Sequence, residues 1–483
     1  MNKIIFLIPP VIEGKVPERL FGCSHQLYPS INIGMLQSAA VLEKNGYTVG
    51  FIDCPVENRK DFPMDTDIYV FYNVFLAKNI DLFWANKILK TNKNTKIIWI
   101  GPEPTRLGVA DDYLINESCF ICRGETEKTI LELLKEFDNK NPNYEKILGL
   151  SWRKEGKIIH NPFRPLMTNE ELDQLPFPSR HLIKNPERYK NPKFKKGPTT
   201  VAYTSRNCWG RCWMCLPSSL TFAREIEHKN FHNFQKPPCG LFSPKRVIEE
   251  FKEIKRLGYR SVLIADDSFI FGKQRLLDIC NGIKDLGLEW GCLLRADTLK
   301  DDEMAEAMKE SGCSFCDIGL ESFSQDVLDY IKKDMKVEDN IRAIDLLRRH
   351  GIQPKINILL GACPLETEDM IKNTVEKLIE MDLDYVSFAI VLPHPETEFY
   401  KTCKKNKWFA TGTEDYTPAS PLEEGTVSFP NGLSNKDYER LLKWCYRRIY
   451  LRPSFIWSRL KNIRNLKQLK EDLRTAWNLV LKR

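Results

Sequence analysis

Cys208, Cys212 and Cys215 fall within eight residues, in the run Cys-Trp-Gly-Arg-Cys-Trp-Met-Cys. A loop with this spacing can wrap three thiolates round one compact metal centre. Three protein ligands are one short of the four that close a structural zinc or iron–sulfur site. An iron left without a protein ligand can bind a substrate or cofactor directly. On spacing alone two other readings stay open: three cysteines packed in a core, or a zinc site completed from afar.

The loop follows a candidate strand at Thr200–Thr204. Further candidate strands are Ser261–Ile264, Trp290–Leu294, Phe315–Ile318, Lys355–Leu360 and Tyr385–Val391, with helical patterns between them such as Pro244–Arg256, Lys300–Ser311 and Glu338–Arg349. Six strand–helix repeats predict a parallel sheet curved toward a partial (β/α)6, TIM-like barrel, with its site at the strand C-termini. An earlier series alternates Ile4–Ile8, Thr48–Asp53, Ile68–Tyr72, Lys96–Ile100 and Cys119–Cys122 with amphipathic stretches at Ile33–Lys44, Asn79–Leu89 and Glu127–Phe137. Continuous apolar strands separated by helices predict a doubly wound, Rossmann-like parallel sheet, whose ligands bind at the strand C-termini. Here those ends carry Pro9-Pro10, Gly101-Pro102-Glu103-Pro104 and Arg123-Gly124-Glu125. No G-x-G occurs anywhere, which excludes the dinucleotide fingerprint and a Walker loop. The expected organisation is therefore α/β: a doubly wound domain over 1–140, a linker with a small hairpin over 141–199, the partial barrel over 200–400 and a helical, basic region over 401–483.

Bulk composition agrees. At 483 residues, 28% charged and 42% hydrophobic, the chain reads as a folded protein of two or three domains. Val386–Leu392, its longest strongly apolar run, is far short of the ~20 residues that span a bilayer. Ile4–Ile8 follows Lys3 as a leader segment would, but Pro9 and Pro10 stop it and no small-residue cleavage site follows. Fifteen cysteines, an odd number, in a chain read as leaderless point to reduced thiols and a cytoplasmic location. The +7 net charge is local: Arg447–Arg483 holds eleven Lys and Arg against Glu471 and Asp472, so the rest is slightly acidic and no nucleic-acid partner is expected.

The cysteine loop resembles the signature of the radical S-adenosylmethionine (SAM) superfamily, and the resemblance continues strand by strand. It is carried by Ala265-Asp266-Asp267-Ser268-Phe269, Arg295-Ala296-Asp297, Gly319-Leu320-Glu321-Ser322 and Gly361-Ala362-Cys363-Pro364-Leu365-Glu366-Thr367. Gly101-Pro102-Glu103-Pro104-Thr105 and Gly124-Glu125-Thr126-Glu127 are similar to the cobalamin-binding half of the cobalamin-dependent members. Pro393-His394-Pro395-Glu396-Thr397-Glu398 and Tyr450-Leu451-Arg452-Pro453 fit the same subgroup.

The resemblance implies three cofactors. Cys208, Cys212 and Cys215 would hold a [4Fe–4S] cluster whose fourth iron chelates SAM. Asp266, Asp267, Arg295, Glu321, Ser322 and Gly361 would contact SAM, and Pro9, Gly101, Pro102, Glu103, Gly124 and Glu125 cobalamin. It implies a C-methyltransferase: one SAM methylates cobalamin, and a second yields a 5′-deoxyadenosyl radical that activates an unactivated carbon. The alternatives within the family are oxidative cyclisation or rearrangement without methyl transfer, and methylthio transfer with a second cluster from Cys23, Cys54, Cys119 and Cys122. A cobalamin-binding sensor or scaffold is the alternative from another class. No D-x-H-x-x-G motif is present to put a histidine beneath cobalt, and His25 lacks such neighbours. A small-molecule, lipid or peptide substrate and an external electron donor such as flavodoxin or ferredoxin are implied.

Other signals have plainer readings. Cys119/Cys122 and Cys313/Cys316 lie in apolar strands and read as packing residues. His228, His232 and Cys239 read as part of a solvated loop or lid rather than a zinc site. The tail, with Phe455, Trp457, Leu460, Ile463, Leu466, Leu469, Leu473 and Trp477 at helical spacing, reads first as packing on the barrel and second as a peripheral contact with the inner membrane face or an acidic partner.

Overall fold

The computed structural model describes residues 3–12, 14, 16, 17, 19, 28–410, 426–430 and 432–461. Cys23, His25 and residues 462–483, with the tail expectations that fall on them, lie outside the described residues.

The early apolar runs form β1 (Ile4–Ile8), β2 (Val49–Asp53), β3 (Ile68–Tyr72), β4 (Lys96–Ile100) and β5 (Cys119–Cys122). They pair in parallel in the order β2-β1-β3-β4-β5. The order reverses at β1, so this is a doubly wound sheet with its crevice outside the carboxyl ends of β1 and β3. Its core is aromatic: the Trp99 ring lies 5.0 Å from both Phe71 and Tyr113, and its indole N–H donates to the Tyr113 carbonyl at 2.9 Å. The sheet is larger than the sequence pattern predicts. The hairpin β6 (Leu150–Lys154) and β7 (Lys157–His160) joins it antiparallel beyond β5, giving seven strands. The polar residues that mark this stretch as a linker belong to an edge, where one face meets water.

The second series comprises β8 (Thr199–Ala202), the short antiparallel pair β9 (Ser205–Arg206) and β10 (Gly240–Leu241), then β11 (Ser261–Ile264), β12 (Glu289–Leu294), β13 (Cys313–Glu321), β14 (Gln353–Leu360) and β15 (Val386–Ile390). Six of them form a sheet in the order β15-β14-β13-β12-β11-β8. This order follows the chain without reversal, as successive strand–helix units of a barrel do. The pairs β8–β11, β11–β12, β13–β14 and β14–β15 are parallel.

The chain divides into two compact units, Met1–Trp209, Leu216–Cys292 and Glu310–Cys313 forming the first and Gly210–Cys215, Leu293–Lys309 and Ser314–Arg483 the second. In the second, the helix Asn435–Tyr450 serves the edge strand β15. The Tyr446 and Tyr450 hydroxyls donate to the carbonyls of Phe388 (2.9 Å) and Val386 (2.6 Å) and accept from the same residues' N–H groups. An edge strand is thereby closed by side chains instead of a neighbour. Among the described residues no helix is long and apolar enough to cross a membrane.

Candidate active site

Exposure separates the loop cysteines from most of the others. Of the fourteen described cysteines, ten are buried; Cys208, Cys212 and Cys239 are half-buried and Cys215 is exposed. Cys119/Cys122 and Cys313/Cys316 are buried strand residues, as expected, and burial pushes the Cys119 thiol up to about 11. Burial, with Cys208 nearby, also pushes Cys239 up to about 11. Among the described residues no three His, Cys, Asp or Glu side chains gather closely enough to hold a metal ion.

Trp213 anchors the loop within the second unit. Its ring is buried 5.1 Å from Tyr330 and 5.0 Å from Phe399, and its indole N–H donates to the Ala362 carbonyl at 3.1 Å. Its backbone N–H donates to Ile331 O, its carbonyl accepts from Phe399 N–H, and Cys215 N–H turns back to Cys212 O. With the apolar ring fixed, Cys212 and Cys215 on either side of it stay toward the surface. Arg295, immediately after β12, donates from Nη1 to Cys212 Sγ at 3.9 Å, binds Asp297 at 3.1 and 3.2 Å and donates to the Lys333 carbonyl at 2.6 Å. Lys333 is buried and its ammonium lies 2.7 Å from Glu321 Oε1. Burial works against the Lys333 charge, but Glu321 and Cys212 outweigh it and hold the ammonium above its ordinary value. Glu321 itself has left-handed backbone, φ 66°. In donor type the thiols fit an iron–sulfur centre, and the Cys212 thiol already receives a guanidinium N–H, but the three sulfurs are not gathered round one point.

The positions expected to contact SAM stand at strand carboxyl ends: Asp266 and Asp267 after β11, Arg295 after β12, Glu321 and Ser322 at the end of β13, and Gly361 after β14. Several are already engaged. Asp266 accepts from Thr204 N–H and hydroxyl at 2.6 and 2.5 Å, and Asp267 from Ser218 N–H and Thr221 hydroxyl at 2.7 and 2.5 Å. Burial raises both carboxyls to about 6. Ser322 Oγ accepts from Ser324 N–H at 3.1 Å. Gly361, at φ 80°, donates its N–H to Glu366 at 2.7 Å. Glu366 is fully buried beside Tyr438, and burial lifts its carboxyl to about 8.

In the first unit, Gly101 (φ 104°) and Gly124 (φ 65°) turn the chain sharply after β4 and β5. A Cβ at Gly101 would lie 2.5 Å from Asn73 O, so only glycine lets these backbones approach. Pro9 and Pro102 are buried there, and Glu103 pairs with Arg106 at 2.7 Å. Glu125 is committed to the protein's own groups: Arg206 at 2.8 Å, Arg224 at 3.0 Å and the Met167 N–H at 2.7 Å. Arg206 also meets Glu127 at 2.5 Å, and Arg123 meets Glu227 at 2.9 Å. Charged neighbours overcome burial and hold Glu125 below its ordinary value. Against the expectation of a loop, residues from 224 continue the helix Ser219–Phe231, whose inward face carries Arg224 and Glu227. His228 and His232 end that helix with stacked rings 4.0 Å apart. Asn and Pro past residue 230 mask its apolar spacing.

Residues 203–378 match the family model of the Radical SAM superfamily. They form a radical SAM domain. The domain holds the cysteine loop and every position expected to contact SAM. An uncharacterised methyltransferase of Pyrococcus horikoshii is 29% identical over 78% of the chain and 77% of its own length. An anaerobic magnesium-protoporphyrin IX monomethyl ester cyclase of Rubrivivax gelatinosus is 22% identical over 70% of the chain; the match spans 57% of that protein. Among solved structures, the radical SAM methyltransferase TsrM of Kitasatospora setae, with cobalamin and a [4Fe-4S] cluster bound, superposes with a TM-score of 0.67 at 14% identity, over 94% of the chain and 90% of TsrM. That likeness shows the fold.

Sequence reading missed Lys333 inside the radical SAM domain, the partners Arg206 and Arg224 of Glu125, and Glu227, the partner of Arg123. Their contacts join residues up to about a hundred positions apart, and no short-range pattern signals such pairs.

Proposed function

We propose that the chain is a cobalamin-dependent radical SAM methyltransferase that methylates an unactivated carbon. The observation that carries this is the C-x3-C-x2-C loop of a radical SAM domain, in one chain with a doubly wound sheet that lacks nucleotide-binding glycines. Residues 1–140 would form the cobalamin domain and 200–400 the radical SAM barrel, with 141–199 between them. Cys208, Cys212 and Cys215 would hold the cluster; Asp266, Asp267, Arg295, Glu321, Ser322 and Gly361 the SAM; and Pro9, Gly101, Pro102, Glu103, Gly124 and Glu125 the cobalamin. When bound, these groups supply one-electron cleavage of SAM to a carbon radical and a carrier for the methyl group. The chain's own part is to fix and shield. Trp213 holds the loop, the Glu366–Gly361 contact shapes the turn after β14, and Gly101 and Gly124 turn the sheet ends tightly. The match to the cyclase favours a second reading, the same cofactors used for an oxidative cyclisation without methyl transfer. The substrate is taken as a small molecule, lipid or peptide, and the electron donor as a flavodoxin- or ferredoxin-type protein.

Anaerobic reconstitution with iron and sulfide should give about four irons per chain, and protein grown with the vitamin should show a bound-cobalamin spectrum. With trideuteromethyl-SAM the product should carry the label. Labelled methionine pools with unlabelled, cyclised product would favour the second reading. A chain that takes up no cluster removes both.

A further inference from the structure

We propose that Arg295 is a hydrogen-bond donor to the iron–sulfur cluster through the Cys212 sulfur, held in place by the turn that carries Lys333, and that this arrangement sets how readily the cluster accepts an electron. The proposal rests on the cluster reading above. Arg295 is 5% exposed and each side of its guanidinium is used. Nη1 reaches Cys212 Sγ at 3.9 Å; Nε and Nη2 hold Asp297 at 3.1 and 3.2 Å; Nη2 also donates to Lys333 O at 2.6 Å. The group cannot leave the sulfur without breaking the other contacts.

The carbonyl that holds it belongs to an unusual turn. Lys332 (φ 56°) and Asp334 (φ 53°) both take left-handed backbone, which L residues adopt only at a cost and which gathers at functional sites. Lys332 N–H donates to Asp329 O and Lys333 N–H to Leu328 O, so the turn is fixed to the preceding helix Gln325–Tyr330. The Lys333 side chain points inward to Glu321, and the pair lies against Gly319. A Cβ at Gly319 would sit 2.6 Å from Glu321 Oε1 and 3.1 Å from Lys333 Nζ, so glycine leaves room for the pair. Near Cys212 the charges are thus Arg295 and Lys333, countered by Asp297 and Glu321, together with the exposed pair Arg211–Asp334 at 3.4 Å. The cation, not the carboxylate, is the group within hydrogen-bonding reach of the sulfur.

The chemistry follows from charge. Reduction adds one electron from an external one-electron donor to the cluster, with no bond made or broken. The reduced cluster carries one more negative charge, which an N–H donor and a positive charge at a ligand sulfur stabilise. Cluster potentials respond to such hydrogen bonds and to net charge.

The test is an EPR-monitored redox titration of the reconstituted full chain with dithionite and mediators, in the absence of SAM. An Arg295 that served only SAM would leave this measurement unmoved. In Arg295→Gln, at equal iron content, the ratio of reduced to oxidised cluster at a fixed potential should fall about tenfold, a shift of about 59 mV for one electron. Lys333→Met should shift it less and in the same direction, and Arg295→Lys should fall between wild type and Arg295→Gln. An unchanged midpoint in Arg295→Gln at full iron content overturns the proposal. If that variant loses its iron, Lys333→Met decides: a wild-type midpoint there overturns it. A wild-type chain without a cluster overturns the functional reading itself.

Discussion

Each compact unit buries a group of charges, and the two groups differ in what they face. In the first, Arg123, Arg206 and Arg224 meet Glu125, Glu127 and Glu227, all 7% exposed or less. Every member has a partner of opposite charge on another segment, so the group ties the end of β5 to β9 and to the helix Ser219–Phe231. In the second, Arg295 and Lys333 have carboxylate partners too, but Arg295 turns one nitrogen to a thiol on a half-buried loop. The first group is paired within itself, whereas the second directs a cation at a cysteine. Burial alone distinguishes neither, since buried ion pairs are weak indicators of stability.

Substitutions in both groups sharpen this contrast. Cys212→Ala should remove the cluster and abolish SAM cleavage while leaving the fold intact, seen as lost iron with unchanged circular dichroism. Arg206→Met should do the reverse. It strips Glu127 of its ion-pair partner in the interior and should destabilise the chain by about 3–5 kcal/mol in urea unfolding. If Arg206→Met instead empties the cluster without a stability loss, the first group is part of the site and the contrast fails.

Glu366 is a third buried titratable group. Its carboxyl, at about 8, lies above the ordinary 4.5, so the folded chain holds that proton more tightly than the unfolded chain. Its contribution is full below pH 4.5 and is lost as pH rises through 8. Glu366→Gln, which keeps an acceptor for Gly361 N–H, should flatten this slope. It should be more stable than wild type at pH 9, relative to pH 5, by on the order of 4 kcal/mol. An unaltered pH profile would show that the carboxyl is ionised in the fold. The smallest effect belongs to the surface: Arg448→Ala breaks a half-exposed pair with Glu376 and should change stability by less than about 1 kcal/mol.

Much of the fold is legible in the chain because its signals are local. β1 and β11 and the helices Ile33–Lys44 and Pro244–Arg256 begin and end where apolar spacing and turn residues place them. Asn32 and Ser243, whose side chains cap those two helices, are local signals of the same kind. The hairpin β6–β7 was readable as a hairpin but not as part of the first sheet, because nothing within it names its partner β5. The stretch round His228 reads as a loop because Asn and Pro crowd the residues past 230; its helix shows only through the partners of Arg224 and Glu227, far along the chain.

The site divides the same way. Spacing by itself put three thiols in one short loop, since Cys208, Cys212 and Cys215 fall within eight residues. Alternation by itself determined two parallel-sheet regions, because buried strands and their covering helices write their period into the chain. Only the tertiary structure decided which charged groups meet. Arg295 meets Cys212 across 83 positions, and Glu125 meets Arg206 across 81. An ion pair or an N–H···S contact depends on distance in space, and loops of such length leave that distance unset until the sheets are assembled.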